Sequence, residues 1–138
     1  MKKFYITLAF GLLMVSCNKE EGPIVTPGTY TGTFQRITDG VPGKLAKISI
    51  HFTEDNKFLG SSSEKNYPAI NYGTFYMMTD AISFSDKYNR WPANFDWTLI
   101  INGMYDMQTI GDSLYIRTQV SGTDIRDVMS LERRSGLR

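Results

Sequence analysis

From Gly28 onward the chain is written in short two-faced runs, each ended by residues that turn the backbone. No stretch carries the 3.6-residue repeat of a long amphipathic helix, and that absence constrains the fold more than any other feature. Tyr30, Gly32 and Phe34 alternate with Thr29, Thr31, Thr33 and Gln35, the period of a half-buried strand. Leu45 to Thr53 sets Ile48, Ile50 and Phe52 against Ser49, His51 and Thr53. Glu54-Asp55-Asn56 is turn chemistry, because short acids and Asn satisfy nearby backbone groups and tolerate left-handed conformations. Lys57 to Ser62 then returns as the second arm of a hairpin. Ile70 to Met77, Ala81 to Phe84, Leu114 to Thr118 and Ile125 to Arg133 read the same way, separated by turns at Thr79-Asp80, Gly111-Asp112 and Gly122-Thr123-Asp124. Asp96 to Ile101, rich in aromatic and β-branched residues, predicts another strand. Asn102-Gly103 is then a type I′ turn or a glycine bulge in one strand running on to Thr109. The count is eight strands with a bulge and nine with a turn. Turns this short exclude crossovers, so the connectivity is up-and-down. Closure into a barrel removes the unpaired edges. The predicted fold class is all-β: a single antiparallel up-and-down barrel over 28–134, with 135–138 as a tail.

The segment before the barrel is of another kind. Lys2 and Lys3 precede a mostly apolar run from Phe4 to Val15, too short for a bilayer span of about 20 residues. A charged flank, a short apolar core and a small residue before the cut describe a secretory signal. Its end, Leu13-Met14-Val15-Ser16-Cys17, resembles the lipobox of bacterial lipoproteins. By that resemblance 1–16 is a signal peptide and Cys17, the chain's only cysteine, becomes a lipidated N-terminus carrying acyl chains of the palmitate type. Two or more such chains anchor stably, whereas one is marginal. The plain alternative is a cysteine discarded with an ordinary signal. Residues 17–27, with Gly22, Pro23 and Pro27, read as a tether. Within it Asn18-Lys19-Glu20-Glu21 is either a solvated charged stretch or, by resemblance, a lipoprotein surface-export signal. The expected location is the bacterial outer membrane, with the domain on its periplasmic or cell-surface face.

Charge and cysteine content exclude several classes. Removing Lys2 and Lys3 from the 15 bases leaves the 14 acids one ahead. No excess positive charge remains for nucleic acid, and no polybasic stripe for anionic headgroups. A lone cysteine outside the folded part rules out an intramolecular disulfide, so stability must come from packing and strand pairing.

The barrel region resembles the small lipocalin-like lipoproteins of the calycin group. Gly28-Thr29-Tyr30 stands where that family has Gly-x-Trp, with Asp55-Asn56-Lys57-Phe58 after the second strand. An apolar run ending in Asn-Gly matches Trp97 to Gly103, and Gly111-Asp112-Ser113-Leu114 and Leu131 with Arg133 follow in order. The resemblance implies that Tyr30 closes the barrel floor and that Arg133, or Arg134 out of phase with it, packs over the ring. Such a cation–π contact is worth on the order of 0.5–2 kcal/mol.

Catalytic signals are absent. His51, the only histidine, has no evident partner and falls on the polar face of its strand, and a zinc site needs three or four ligands. Asp39, Asp55, Asp80, Asp112 and Asp124 read as turn residues, and no Gly-x-Ser-x-Gly, phosphate loop or EF-hand spacing occurs. We therefore expect no enzyme, cofactor or metal. Aromatics are the remaining signal. Tyr88, Trp91, Phe95 and Trp97 crowd one loop, and Tyr72 and Tyr76 share a strand face. One reading is a monomeric barrel that binds a small apolar or amphipathic molecule between Tyr72, Tyr76, Trp97 and Tyr105, gated by Trp91. The other is a barrel filled by its own side chains, whose loops engage an envelope protein or a surface glycan.

Overall fold

A computed structural model describes residues 25–135; the expectations for 1–16 and Cys17 lie outside the described residues. Eight strands follow in order: β1 (Gly28–Thr38), β2 (Val41–Phe52), β3 (Lys57–Ser62), β4 (Tyr72–Met77), β5 (Ala81–Asp86), β6 (Gly103–Ile110), β7 (Ser113–Gln119) and β8 (Ile125–Arg133). Each pairs antiparallel with the next, and β8 pairs back onto β1 to close an up-and-down barrel. With an even number of strands, the start of β1 and the end of β8 share one end, here termed the floor, with turns 53–56, 78–80 and 111–112. The rim carries turn 39–40, the long connections 63–71 and 87–102, and turn 120–124.

Local chemistry accounts for most of the turns. Asp39 and Gly40 both take positive φ, 50° and 77°, the requirement of a two-residue type I′ hairpin. That tight turn lets β2 begin at Val41, earlier than the predicted Leu45. All five nominated turn acids, Asp39, Asp55, Asp80, Asp112 and Asp124, lie between strands.

One predicted strand is absent. Asp96 to Ile101 instead forms a 3₁₀ turn, Trp97–Leu99, followed by extended chain that crosses the rim. Asp96 caps the turn by accepting hydrogen bonds from the main-chain N–H of Thr98 at 3.0 Å and its hydroxyl at 2.6 Å. Capping of this kind competes with the strand ladder. The backbone beyond it pairs with the other rim connection: Ala69 N–H donates to Leu99 O, and Ile101 N–H to Ala69 O. Gly103, at φ 92°, opens β6. Eight strands therefore stand, with 96–101 replaced by a rim crossing.

The barrel axis is filled by side chains. Phe34, Phe52, Phe58, Phe75, Phe84 and Tyr105 point inward and are buried. Phe52 meets Tyr30 and Phe75 edge-on at ring separations of 5.6 and 5.0 Å, and Phe84 meets Phe58 and Tyr105 at 5.2 and 5.5 Å. Such edge-to-face geometry is what aromatic quadrupoles favour. Ile48, Ile50, Ile82, Leu114, Ile116, Met129 and Leu131 fill the space between the rings. Val25, before the predicted barrel start, belongs to the same cluster, so the core begins inside the expected tether.

Two glycines permit the closest approaches. A Cβ on Gly32 would lie 1.9 Å from the Ser130 carbonyl oxygen of β8, and one on Gly73 would lie 2.1 Å from the Ser85 carbonyl oxygen of β5 and 2.8 Å from the Phe58 ring. Gly32→Ala is expected to cost about 3 kcal/mol by forcing β1 from β8. Phe52→Ala is expected to cost about 3–5 kcal/mol through the cavity it leaves. Urea unfolding checks both, as a lower midpoint at unchanged slope.

Candidate functional site

The aromatic residues nominated for the barrel interior divide between its two faces. Tyr105 does point inward and is 3% exposed, whereas Tyr72, Tyr76 and Trp97 are 46%, 69% and 57% exposed. Tyr72 and Tyr76 share a face of β4, as expected, but it is the outer one. Strand alternation turns Gly73 and Phe75 inward, and Gly73 stands opposite Phe58 in the register. The inner face of β4 thus presents Phe75 and the partly buried Met77 beside the vacant position at Gly73, which the Phe58 ring completes. Two tyrosines in that place would overfill it. Trp97 sits in the rim turn, outside the core, where it and Tyr105 line one recess of about 250 Å³.

Trp91 does not line the rim recess beside Tyr105 and Asp127. It belongs to a ladder of rings on the outer wall near the rim. Tyr72 meets Tyr88 at 6.2 Å, Tyr88 meets Trp91 at 4.6 Å, and Phe95 stacks on Trp91 at 5.6 Å. The indole Nε1–H donates to Asp86 Oδ2 at 2.9 Å, which fixes the ring's orientation. Tyr88 and Trp91 form one side of a cleft of about 290 Å³. The other side comes from β3 and the 63–71 connection, including Ser61, Glu64, Asn66 and Asn71.

The rim is bridged by a polar group that sequence reasoning missed, and beside it the same recess of about 250 Å³ runs between Thr98, Tyr105, Gln119 and Asp127. Arg36 and Asp127 point into the barrel and are 7% and 2% exposed. Arg36 donates from Nε to Asp127 Oδ1 and from Nη2 to Oδ2, both at 2.7 Å, a two-pronged pair. Its Nη2 also donates to Thr98 O at 2.7 Å and its Nη1 to Thr98 Oγ1 at 2.8 Å. Thr98 passes that contact on by donating to Asp96, and this bond, with the nearby Arg36 charge, holds the Asp96 carboxyl below the usual range. The Arg36 main-chain N–H donates to the Tyr67 hydroxyl at 3.1 Å, which donates to Lys44 O at 3.0 Å. Both rim connections are thereby tied to β1. A signal existed in the sequence. Arg36 is in phase with Tyr30 and Phe34, and Asp127 with Met129 and Leu131, so opposite charges occupy inward positions on the first and last strands.

At the floor Tyr30 is buried, packs on Phe52 and donates its hydroxyl to Thr26 O at 3.0 Å. Arg133 stands opposite Tyr30 in the register, yet its guanidinium donates to Pro27 O at 3.2 Å. The cation–π contact found among the described residues lies at the other end, with Lys44 4.9 Å from the Tyr67 ring centre. Lys44 is drawn there by Glu64, which it meets at 2.9 Å. His51 is exposed on the outer wall with Nδ1 2.9 Å from Thr29 Oγ1. Among the described residues no group of three or more His, Cys, Asp and Glu has the arrangement of a metal site.

Neither the family models nor the curated proteins compared with the chain match it.

The rim group makes two predictions. Asp127→Asn leaves the buried Arg36 with only the half-exposed Asp96 carboxylate, 3.4 Å from Nη1, as counter-charge and is expected to cost about 3 kcal/mol, while Arg36→Leu with Asp127→Leu recovers most of that loss. Urea midpoints of the three proteins decide it. Burial pushes the Tyr105 phenol above its ordinary value of 10.0, and the Asp127 charge adds to the rise. Near that pH the unfolded chain gives up a proton that the folded one keeps. Stability therefore falls as pH climbs past about 10, by ~1.4 kcal/mol per unit from this group. Tyr105→Phe is expected to flatten the fall between about pH 10 and 11; a slope equal to that of the parent protein counts against the assignment.

Proposed function

We propose that this chain is a lipid-anchored module of the bacterial outer membrane that acts by recognition at its outer surface, without catalysis, its barrel serving as a solid scaffold. The observation that carries this reading is the filled interior. Phe34, Phe52 and Phe84 at the barrel axis are 0–2% exposed, and a guest molecule would have to displace side chains already in contact. The aromatic side chains left for a partner are those on the outside and at the rim.

Chain geometry supports a definite orientation for such a module. The described chain begins at Val25, on the floor side, eight residues after Cys17. Fully extended, those residues reach at most ~29 Å. A lipid on Cys17 therefore holds the floor within ~29 Å of the membrane and leaves the long rim connections, 63–71 and 87–102, at the end away from the anchor. Long connections on a rigid scaffold are the usual seat of recognition.

Two measurements test the reading. Cys17→Ser is expected to move the protein from the membrane fraction to the soluble one, and unchanged membrane retention contradicts the anchor. Native mass spectrometry of the protein after exposure to a mixed lipid extract is expected to show no retained lipid beyond the covalent anchor. A stoichiometric extra mass lost on Phe52→Trp, which enlarges an interior ring, returns the cargo to the inside of the barrel.

A further inference from the structure

The cleft beside Trp91 has a structural origin. β3 and β4 share only three register pairs, Lys57↔Thr74, Phe58↔Gly73 and Leu59↔Tyr72, whereas β3 stays with β2 up to Ser62. Beyond Gly60, whose N–H still donates to Asn71 O at 2.5 Å, the two strands part, and the chain between them returns as the 63–71 connection. Its Ile70 plugs the gap from within: a Cβ on Gly60 would meet the Ile70 side chain at 2.2 Å. The outer part of the gap stays open as the cleft.

Its two sides differ in chemistry. One is the aromatic pair Tyr88 and Trp91, backed by Phe95 and pinned by Asp86. The other offers the Ser61 hydroxyl, the amides of Asn66 and Asn71, and the Glu64 carboxylate. Lys44 takes one Glu64 oxygen, and a carboxylate has lone pairs to spare for a further donor. Planar amides both donate and accept, and a carboxylate accepts through two oxygens, matching vicinal hydroxyls. Aromatic rings cover the apolar C–H face of a sugar ring. An acyl chain would leave the amides and the second carboxylate oxygen desolvated without partners. A phosphorylated or acidic ligand would meet Glu64 with only Lys65 as a free cation in the lining.

We propose that this cleft binds a neutral saccharide end, a hexose or N-acetylhexosamine unit, between the Tyr88–Trp91 side and the Asn66–Asn71 side. The proposal rests on the reading of the barrel as a surface-recognition module and names its ligand class. A volume of about 290 Å³ is at the lower limit of small-molecule sites and suits a short terminal segment. The rings are held before the ligand arrives, so little order is lost on binding.

The chain has two tryptophans, so Trp97→Phe in the full-length, detergent-solubilised protein leaves Trp91 as the sole indole reporter. Titration with cellobiose, maltose and N,N′-diacetylchitobiose up to about 10 mM, which fills a millimolar site, is expected to give a saturable fluorescence change with at least one of them. Asn71→Ala, which keeps the reporter and the main-chain carbonyl that accepts from Gly60 N–H, is expected to weaken binding about tenfold, and Tyr115→Ala on the far wall less than twofold. Trp91→Phe, followed by saturation-transfer NMR on the sugar, is expected to show a comparable loss. No response to any of the three sugars overturns the proposal. Binding that survives both Asn71→Ala and Trp91→Phe also overturns it, while leaving the surface-recognition reading in place. A Trp91 response to fatty acid but not to sugar overturns the saccharide assignment in favour of an apolar ligand at this cleft.

Discussion

The Arg36–Asp127 pair spans the seam where the first strand meets the last, and the two residues are direct register partners across it. The seam runs from Tyr30↔Arg133 to Thr38↔Ile125 and joins the parts of the barrel farthest apart in sequence. Such a closure carries a large loop entropy, and the contacts on either side must offset it. Gly32 lets the backbones approach near the floor, and the ion pair secures the rim. Burying two charges costs several kcal/mol each unless geometry and hydrogen bonding are complete. Here both carboxylate oxygens and all three guanidinium nitrogens are engaged. The pair is therefore best understood as an organiser that gathers both rim connections on one point, rather than as a large net source of stability.

That organisation separates containment from recognition. Barrels of eight strands have interiors just wide enough for side chains or one small guest. In this chain phenylalanines take the room, and the rim is crossed by Leu99 and Ile101 and tied by Thr98 to Arg36. Aromatic surface in excess of what the interior holds is laid out on the wall, where Tyr72, Tyr88, Trp91 and Phe95 contact in sequence. A lipid at Cys17 on the floor side and recognition at the rim side would place anchor and partner at opposite ends of one rigid body.

Much of this was legible before any coordinates. Alternation at Tyr30 to Gln35 and at Ile48 to Thr53 marked strands and their inner faces correctly, because a strand with polar residues on one side has only one way to face a core. The turn acids were equally plain. Asp96 to Ile101 was misread because β-branched content speaks for a strand, while the capping capacity of Asp96 towards Thr98 speaks against it, and the second effect prevailed once Ala69 supplied other backbone partners. Tyr72 and Tyr76 were misplaced because both faces of β4 are apolar enough to be buried. Arg36 and Asp127 were passed over because each is an ordinary charged residue until their strands are set side by side.

Period and turn chemistry are local properties, and local sequence alone determined the class, the strand order and the up-and-down path. The choice between the two faces of β4, the pairing of Arg36 with Asp127 and the meeting of Tyr88 and Trp91 with Asn66 and Asn71 depend on volumes and charges contributed by strands distant in the chain. Only the closed barrel decided them, because packing and ion pairing are satisfied between neighbours in space, and those neighbours exist only after the seam has formed.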